Sequence, residues 1–293
     1  MSSPSRPQGT GRILAGRYRI ERLLGEGAAG TVWLARDTRE KGRVWAVKEL
    51  DYSSLPPSEQ RESFTLFQRE AEMLMQLEHS FLPKVVDCFS EQGRQYLVME
   101  RVEGPTLESL VRGSSLALKE TEVIPWAIQL CEVLHYLHTL TPPVVYRDLK
   151  PANVMVSVRG PIKLIDFGIA RALNPSKPGD TTAYGTPGYA PLEQYVGRAT
   201  PQSDLYALGA TLYRMLTLQE PDQFNFSFRP ARDWNPELSP GMEKVLADLL
   251  EKEAQNRPAS ALEVKERLQH VLSNPLPWWW KAKVRVGQMW KRN

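Results

Sequence analysis

The sequence predicts an α+β chain in which a small antiparallel sheet with one main helix comes first and a larger, mostly helical part follows. Three observations carry this. Between Arg17 and Leu50, apolar and polar residues alternate along Tyr18 to Leu24, Thr31 to Arg36 and Arg43 to Leu50, with turn residues between them; a period of two broken by turns marks strands joined as hairpins. From about Ser58 to Leu77 the period lengthens, so that Phe67, Leu74 and Leu77 fall on one helical stripe. After Gly104, Val123 to Leu140 and Leu205 to Leu218 carry long apolar periodicity, the second apolar almost all round, as a helix buried on most sides must be.

Lys84 to Cys88 and Gln95 to Glu100 read as two more strands of the first part, while Pro240 to Glu253 and Ser260 to Leu272 read as the last helices of the second. At 293 residues with 42% apolar side chains, the chain can bury a large core. A net charge of +3 gives no case for nucleic acid as a partner. Cys88 and Cys131 lie far apart without metal-type spacing, which predicts two buried thiols in a reducing compartment. No apolar run approaches the roughly 18 residues of a membrane span. Residues 1–16 are polar and lack the apolar stretch of a secretion signal. The expectation is a cytoplasmic protein with a flexible arm over residues 1–16.

The residues that carry chemistry fall into two groups. Asp148-Leu149-Lys150-Pro151-Ala152-Asn153 and, after a short apolar strand, Asp166-Phe167-Gly168 supply two carboxylates and an amide, a set suited to holding a hydroxyl beside metal-bound phosphates. Upstream, Gly25-Glu26-Gly27-Ala28-Ala29-Gly30 lies between two strands, where glycines let backbone N–H groups approach a phosphate. Taken alone, it fits an ordinary glycine-rich hairpin equally well. No helix follows it, which rules out a dinucleotide-binding crossover. On the next strand Val44, Ala46 and Lys48 share a face. By itself Lys48 would pass for a surface lysine. Glu70, however, sits on the apolar stripe of the following helix between Phe67 and Leu74, where a carboxylate is costly unless a cation meets it. Lys48 is the candidate partner, and Glu72 is the exposed neighbour.

These pieces, in this order, resemble the eukaryotic-type (Hanks-type) serine/threonine protein kinases, in the bacterial branch, over roughly residues 17–272. The resemblance implies a bilobal protein kinase-like fold, with an N-lobe at 17–100, a hinge at 101–104 and a C-lobe at 105–272, followed by a tail at 273–293. It implies ATP and Mg2+ as cofactors and Ser/Thr hydroxyls of protein substrates as acceptors, with autophosphorylation of the chain's own loop. In the family's terms Asp148 is the catalytic base, Lys150 supports the transferred phosphoryl group, Lys48 paired with Glu70 holds phosphate, and Asn153 and Asp166 hold the metal. Gly25, Glu26, Gly27, Ala28, Ala29 and Gly30 cover the phosphates. Val32, Ala46 and Met155 enclose the adenine, and Met99, Glu100 and Val102 line the hinge, with Met99 as gatekeeper. Plain core packing would give Val32 and Met155 the same sequence. Lysine two residues after the base points to Ser/Thr rather than Tyr as acceptor.

Gly185-Thr186-Pro187-Gly188-Tyr189 is similar to the stretch that docks the substrate, with Thr186 bridging Asp148 and Lys150. The resemblance pairs Glu193 with Arg257 and sets Asp204 to bond the catalytic-loop backbone; Asp204 also reads plainly as a helix cap, and both can be true. Arg147 is expected to meet a phosphorylated Thr181 or Thr182. The chain departs from the family in three places. Leu192 stands where proline is usual, the glycine-loop tip Ala28-Ala29 lacks a hydroxyl or aromatic, and Tyr146 replaces a histidine, its ring able to stack next to Phe167. His79 and His138 have no partners at ligand spacing and read as structural.

Residues 278–293 lie beyond the resemblance and hold five basic residues, four tryptophans and no acid. Trp279, Ala282, Val286 and Trp290 line up at helical spacing, which fits a peripheral membrane contact; a tail packed on the large lobe, or a juxtamembrane remnant without its span, is the plainer reading. Two other functional readings stand beside the kinase. One is an ATP-binding pseudokinase or regulatory scaffold, against which the presence of Lys48, Asp148, Asn153 and Asp166 speaks. The other is a small-molecule kinase, against which Gly185 to Glu193 with Arg257 speaks.

Overall fold

The computed structural model describes residues 9–27, 30–53, 56–158, 160–166, 185–221 and 226–275. They form two compact units, one within residues 9–103 and one made of 104–166 and 185–275.

In the first unit six strands, β1 (Ile13–Leu14), β2 (Tyr18–Gly27), β3 (Gly30–Asp37), β4 (Val44–Asp51), β5 (Val85–Glu91) and β6 (Arg94–Glu100), form one sheet in the order β1-β2-β3-β4-β6-β5. Every pairing is antiparallel; short turns require this of the successive strands β1 to β4 and of β5 with β6, while β4 meets β6 across the α1 connection. Trp33 stands opposite Val47, Ala35 opposite Trp45 and Val47 opposite Val98, so these residues share a face. With Tyr18, Ile20 and Tyr96 they close the core of this unit. Helix α1 (Pro57–Gln76) opens on proline in its first turn, where the missing N–H costs nothing. It packs on β5 and β6 and buries Phe67, Ala71 and Leu74; Phe67 and Leu74 belong to the stripe its spacing predicts, and the third member, Leu77, is buried just past its end.

Glu49 shares the face of Trp45 and Val47, and it is buried. Its carboxylate accepts hydrogen bonds from Trp33 Nε1 (2.6 Å) and Arg94 Nη1 (2.7 Å) and pairs with Arg12. The Arg12 guanidinium lies 5.4 Å from the centroid of the Trp33 ring, a favourable place for a cation. For residues 9–16 this corrects the expectation of a flexible arm over residues 1–16, because Leu14 is buried and Ile13 and Leu14 pair with Arg19 and Tyr18; residues 1–8 of that arm lie outside the described residues. The cause is the buried carboxylate, which needs cations; one of them comes from the segment ahead of the first expected strand. Cys88, expected to be buried, is half-buried on β5, whereas Cys131 is buried and its thiol pKa is pushed up by desolvation.

The second unit contains α2 (Leu107–Val111), α3 (Glu120–His138), a ribbon of β7 (Val154–Val156) with β8 (Ile162–Leu164), α4 (Leu192–Tyr195), α5 (Pro201–Thr217), α6 (Ala231–Trp234), α7 (Pro240–Leu249) and α8 (Ala261–Ser273). Every residue of α5 from Ser203 to Thr217 is buried. Helices α3 and α7 pack on α5, and α8 packs on α3 and α7. Helix α7 stops at Leu249, short of the expected Glu253. Beyond it, Arg257 donates to the carbonyls of Glu251 and Lys252, each at 2.8 Å, which holds those carbonyls out of a helical path.

Candidate active site

Part of the predicted site lies in the first unit. Gly25, Glu26 and Gly27 end β2, Gly30 opens β3, and Ala28 and Ala29 fall outside the described residues. The glycines differ in what demands them. At Gly30 φ is +111° and a Cβ would run into the carbonyl oxygen of Glu49, so the fold itself requires glycine. At Gly25 and Gly27 an added Cβ would meet nothing within 4 Å. Open space with no backbone demand suits a turn whose N–H groups a ligand approaches.

Lys48 stands opposite Val32 on β3 and Leu97 on β6, and Ala46 stands opposite Leu34 and Met99. Val32, Ala46, Lys48 and Met99 therefore share the face of the sheet that Trp45 and Val47 do not use. Lys48 is buried there. Glu100 ends β6, and Glu100 and Val102 are half-buried. Glu70 is half-buried on α1, whereas Glu72 is exposed. Burial and then the charge of Glu70 raise the pKa of the Tyr52 phenol, which places that carboxylate near Tyr52, just after β4.

The remainder lies in the second unit. Asp148 is buried, and the Thr186 hydroxyl donates to its Oδ1 at 2.8 Å. Lys150 Nζ donates to the same hydroxyl oxygen at 2.8 Å and lies 3.2 Å from Asp148 Oδ2. Asn153 closes the 3-10 turn Pro151–Asn153, and its Nδ2 donates to the main-chain carbonyl and to Oδ2 of Asp148, both at 2.8 Å. The amide nitrogen is thereby spent on Asp148, so Oδ1 is the atom left to meet a cation. Met155 is half-buried on β7, bridged to Thr106.

Asp204 holds this loop in place. Its fully buried carboxylate accepts from the main-chain N–H groups of Tyr146 and Arg147, each at 2.8 Å, and meets His138 Nε2 at 2.8 Å. Two successive N–H groups on one carboxylate accompany a left-handed Arg147, φ +69°, a conformation that costs about 1–3 kcal/mol and persists where surroundings over-determine it. Gln194 Nε2 adds a bond to the Arg147 carbonyl at 2.7 Å, and Gly185 makes room for it, since a Cβ there would overlap the Gln194 amide. Tyr146 donates its hydroxyl to the carbonyls of Ile165 and Asp166, the latter at 3.0 Å. Asp166 is itself left-handed, φ +64°. The N-cap of α5 is Thr200, so the loop-bonding reading of Asp204 describes it and the capping one does not.

Glu193 and Arg257 meet through two contacts, Nη1 to Oε1 at 2.6 Å and Nη2 to Oε2 at 3.3 Å, with the Arg257 side chain fully buried. Burial works to raise the Glu193 pKa, but bonds from Arg257 and Ser203 hold it below the ordinary carboxylate value. Sequence reasoning missed His138, Gln194 and the Tyr146 hydroxyl as parts of the loop's support. His138 showed no acid nearby because its partner is 66 positions away. Phe167, Gly168, Thr181 and Thr182 lie outside the described residues.

An antiparallel sheet unit, a helical unit and an aspartate–lysine–asparagine loop set beside a threonine define a protein kinase fold. The protein kinase domain family matches residues 18–273. The chain is 33% identical to the probable serine/threonine-protein kinase PknB of Lactococcus lactis, over 84% of this chain and 40% of that one. It is 30% identical to the serine/threonine-protein kinase PrkC of Bacillus subtilis, over 86% of this chain and 40% of that one. The crystal structure of the Mycobacterium tuberculosis PknI kinase domain superposes with a TM-score of 0.72 at 25% identity, covering 90% of this chain and 99% of that one. The chain belongs to the protein kinase family and is similar to its bacterial serine/threonine members. It spans about 40% of the length of those two curated relatives.

Proposed function

We propose that this chain transfers the γ-phosphoryl group of ATP to serine and threonine hydroxyls of proteins, its own Thr181 or Thr182 included. The observation that carries the reading is the arrangement of Asp148, Thr186 and Lys150, in which a carboxylate and an ammonium each lie 2.8 Å from one hydroxyl oxygen. An acceptor hydroxyl needs such a base, and a transferring phosphoryl group needs such a cation. In this reading Asp148 orients the acceptor hydroxyl and takes its proton as the new O–P bond forms and the bond to the bridging oxygen of ADP breaks. Lys150 offsets charge on the phosphoryl oxygens, and Lys48, steadied by Glu70, holds the phosphates under the N–H groups of the Gly25 to Gly30 turn. Val32, Ala46 and Met155 enclose the adenine, and the backbone of Met99, Glu100 and Val102 pairs with it.

Asn153 Oδ1 and the Asp166 carboxylate are hard oxygen donors, the type Mg2+ takes. Bound there, Mg2+ would neutralise charge on the phosphates. Retention of Lys48, Asp148, Asn153 and Asp166 supports an enzyme over a pseudokinase or scaffold, and the segment Gly185 to Glu193, anchored on Arg257, supports protein over small-molecule acceptors. No helix among the described residues is long and apolar enough to cross a membrane. Both cysteines are free, which supports a cytoplasmic location.

The test is incubation of the purified chain and a generic protein substrate with radiolabelled ATP and Mg2+, followed by phosphosite mapping. Label on Ser/Thr, with Thr181 or Thr182 among the sites, is expected. Nucleotide binding without label would leave the scaffold reading. The Thr181→Ala, Thr182→Ala double variant is expected to lose most activity, because Arg147 would then have no phosphate to pair with.

A further inference from the structure

Away from the catalytic loop, the second unit holds a cavity of about 540 Å³, inside the range of about 300–1,000 Å³ common for ligand sites. Its lining includes Tyr213 of α5, Phe226 and Phe228 ahead of α6, Leu246 and Ala247 of α7, and Leu250 just past the end of α7. With Glu243, Leu246, Ala247 and the C-cap residue Leu250 make one stripe spaced i, i+3, i+4 and i+7, beside the Met242, Val245 and Leu249 stripe that enters the core. The groove is thus a continuation of the core left open: Phe226, Phe228 and Leu250 are half-buried and Ala247 is exposed. Glu243, Glu251 and Glu253 stand at it against Arg229 and Lys252. Arg229 is already engaged, its guanidinium 5.7 Å from the Trp234 ring centroid. The groove is acidic on balance.

The course of the chain names the occupant. Helix α8 ends at Ser273, and near its end Val271 packs on the start of α7, where a Cβ on Gly241 would lie 2.9 Å from Val271 Cγ2. Gly241 is two positions before Glu243 of the groove. The segment 276–293 therefore follows a helix that ends beside the start of α7, on the side of α7 away from this stripe, as the Arg267–Asp248 pair also shows, so it reaches the groove by passing round α7. Fully extended, eighteen residues reach about 60 Å, several times the ~14 Å that separates Gly241 from Leu250 along a helix. The segment is also the chemical complement of the groove, since residues 278–293 carry five basic residues, four tryptophans and no acid.

We propose that residues 276–293 dock in this groove. Tryptophans of the segment enter the apolar lining and its basic side chains meet Glu243, Glu251 and Glu253, a docking contact made within one chain. The contact is independent of the catalytic assignment.

The test uses the full chain. Trypsin cleaves after Lys281, Lys283 and Arg285, mass spectrometry gives the rate at each, and the synthetic peptide 276–293 supplies the undocked rate. Cleavage follows the population of the undocked form, so a rate at least about tenfold slower in the chain than in the peptide is expected. Ala247→Arg, and separately the pair Glu251→Lys and Glu253→Lys, should return it toward the peptide's rate; all three positions are exposed, and a thermal melt verifies each fold. Equal rates in chain and peptide overturn the proposal, as does protection that neither variant relieves. In a third arm with anionic vesicles, protection seen only when vesicles are present assigns the segment to a membrane surface and overturns the groove.

Discussion

The hydroxyl of Tyr146 lies 3.0 Å from the carbonyl oxygen of Asp166 and also donates to that of Ile165. The residue before Arg147 thus fastens the backbone of the left-handed Asp166. Tyr146→Phe keeps the buried ring and removes both bonds. It should cost about 1–3 kcal/mol in urea unfolding and raise the Mg2+ concentration needed for half-maximal turnover. Unchanged Mg2+ dependence would reduce the hydroxyl to a packing role.

Asp148→Asn should fold and bind Mg-ATP as before, yet lose phosphoryl transfer by roughly 10²–10⁴, the usual contribution of a positioned base. Asp166→Asn should act on the other quantity and weaken Mg2+-dependent nucleotide binding in calorimetry. Retained turnover in the first, or unaltered Mg-ATP affinity in the second, would remove the role assigned to that carboxylate.

The glycines of the turn should separate stability from binding. Gly30→Ala places a Cβ against the Glu49 carbonyl at φ +111° and should cost more than about 2 kcal/mol. Gly25→Ala meets nothing within 4 Å; it should leave stability unchanged or raise it by about 0.4–1 kcal/mol while raising the KM for ATP. Chemical denaturation alongside steady-state kinetics distinguishes the two.

Arg257→Ala leaves Glu193 without its cation and removes donors from the carbonyls of Gln202, Glu251 and Lys252. A loss of about 3–5 kcal/mol is expected. The Glu193 pKa is lowered in the folded chain, so its stabilisation is fully present above the unfolded value of about 4.3 and is lost as pH falls through the lower folded value. Urea midpoints between pH 6 and 3 should therefore converge for the wild-type chain and Glu193→Gln as the solution is acidified. Parallel curves would argue against the sign of the shift.

The sequence by itself determined the order of five strands and the five longer helices, the antiparallel sheet, the all-round burial of α5, and the grouping of Val44, Ala46 and Lys48 on one face of a strand. It also carried the motifs from which Asp148, Lys150, Asn153, Thr186, Glu193 and Arg257 were picked out. These features are legible because they are local: strand alternation and helical period act over neighbouring residues, and the loop holds three of its polar groups within six positions. Tertiary structure alone decided that Arg12 serves Glu49, that His138 meets Asp204 and that Gln194 reaches the Arg147 carbonyl, pairs separated by 37, 66 and 47 positions. It also decided where α7 ends and that Ile13 and Leu14 join the sheet. A buried charge or carbonyl announces that it needs a partner, but which distant residue supplies it depends on how the elements pack.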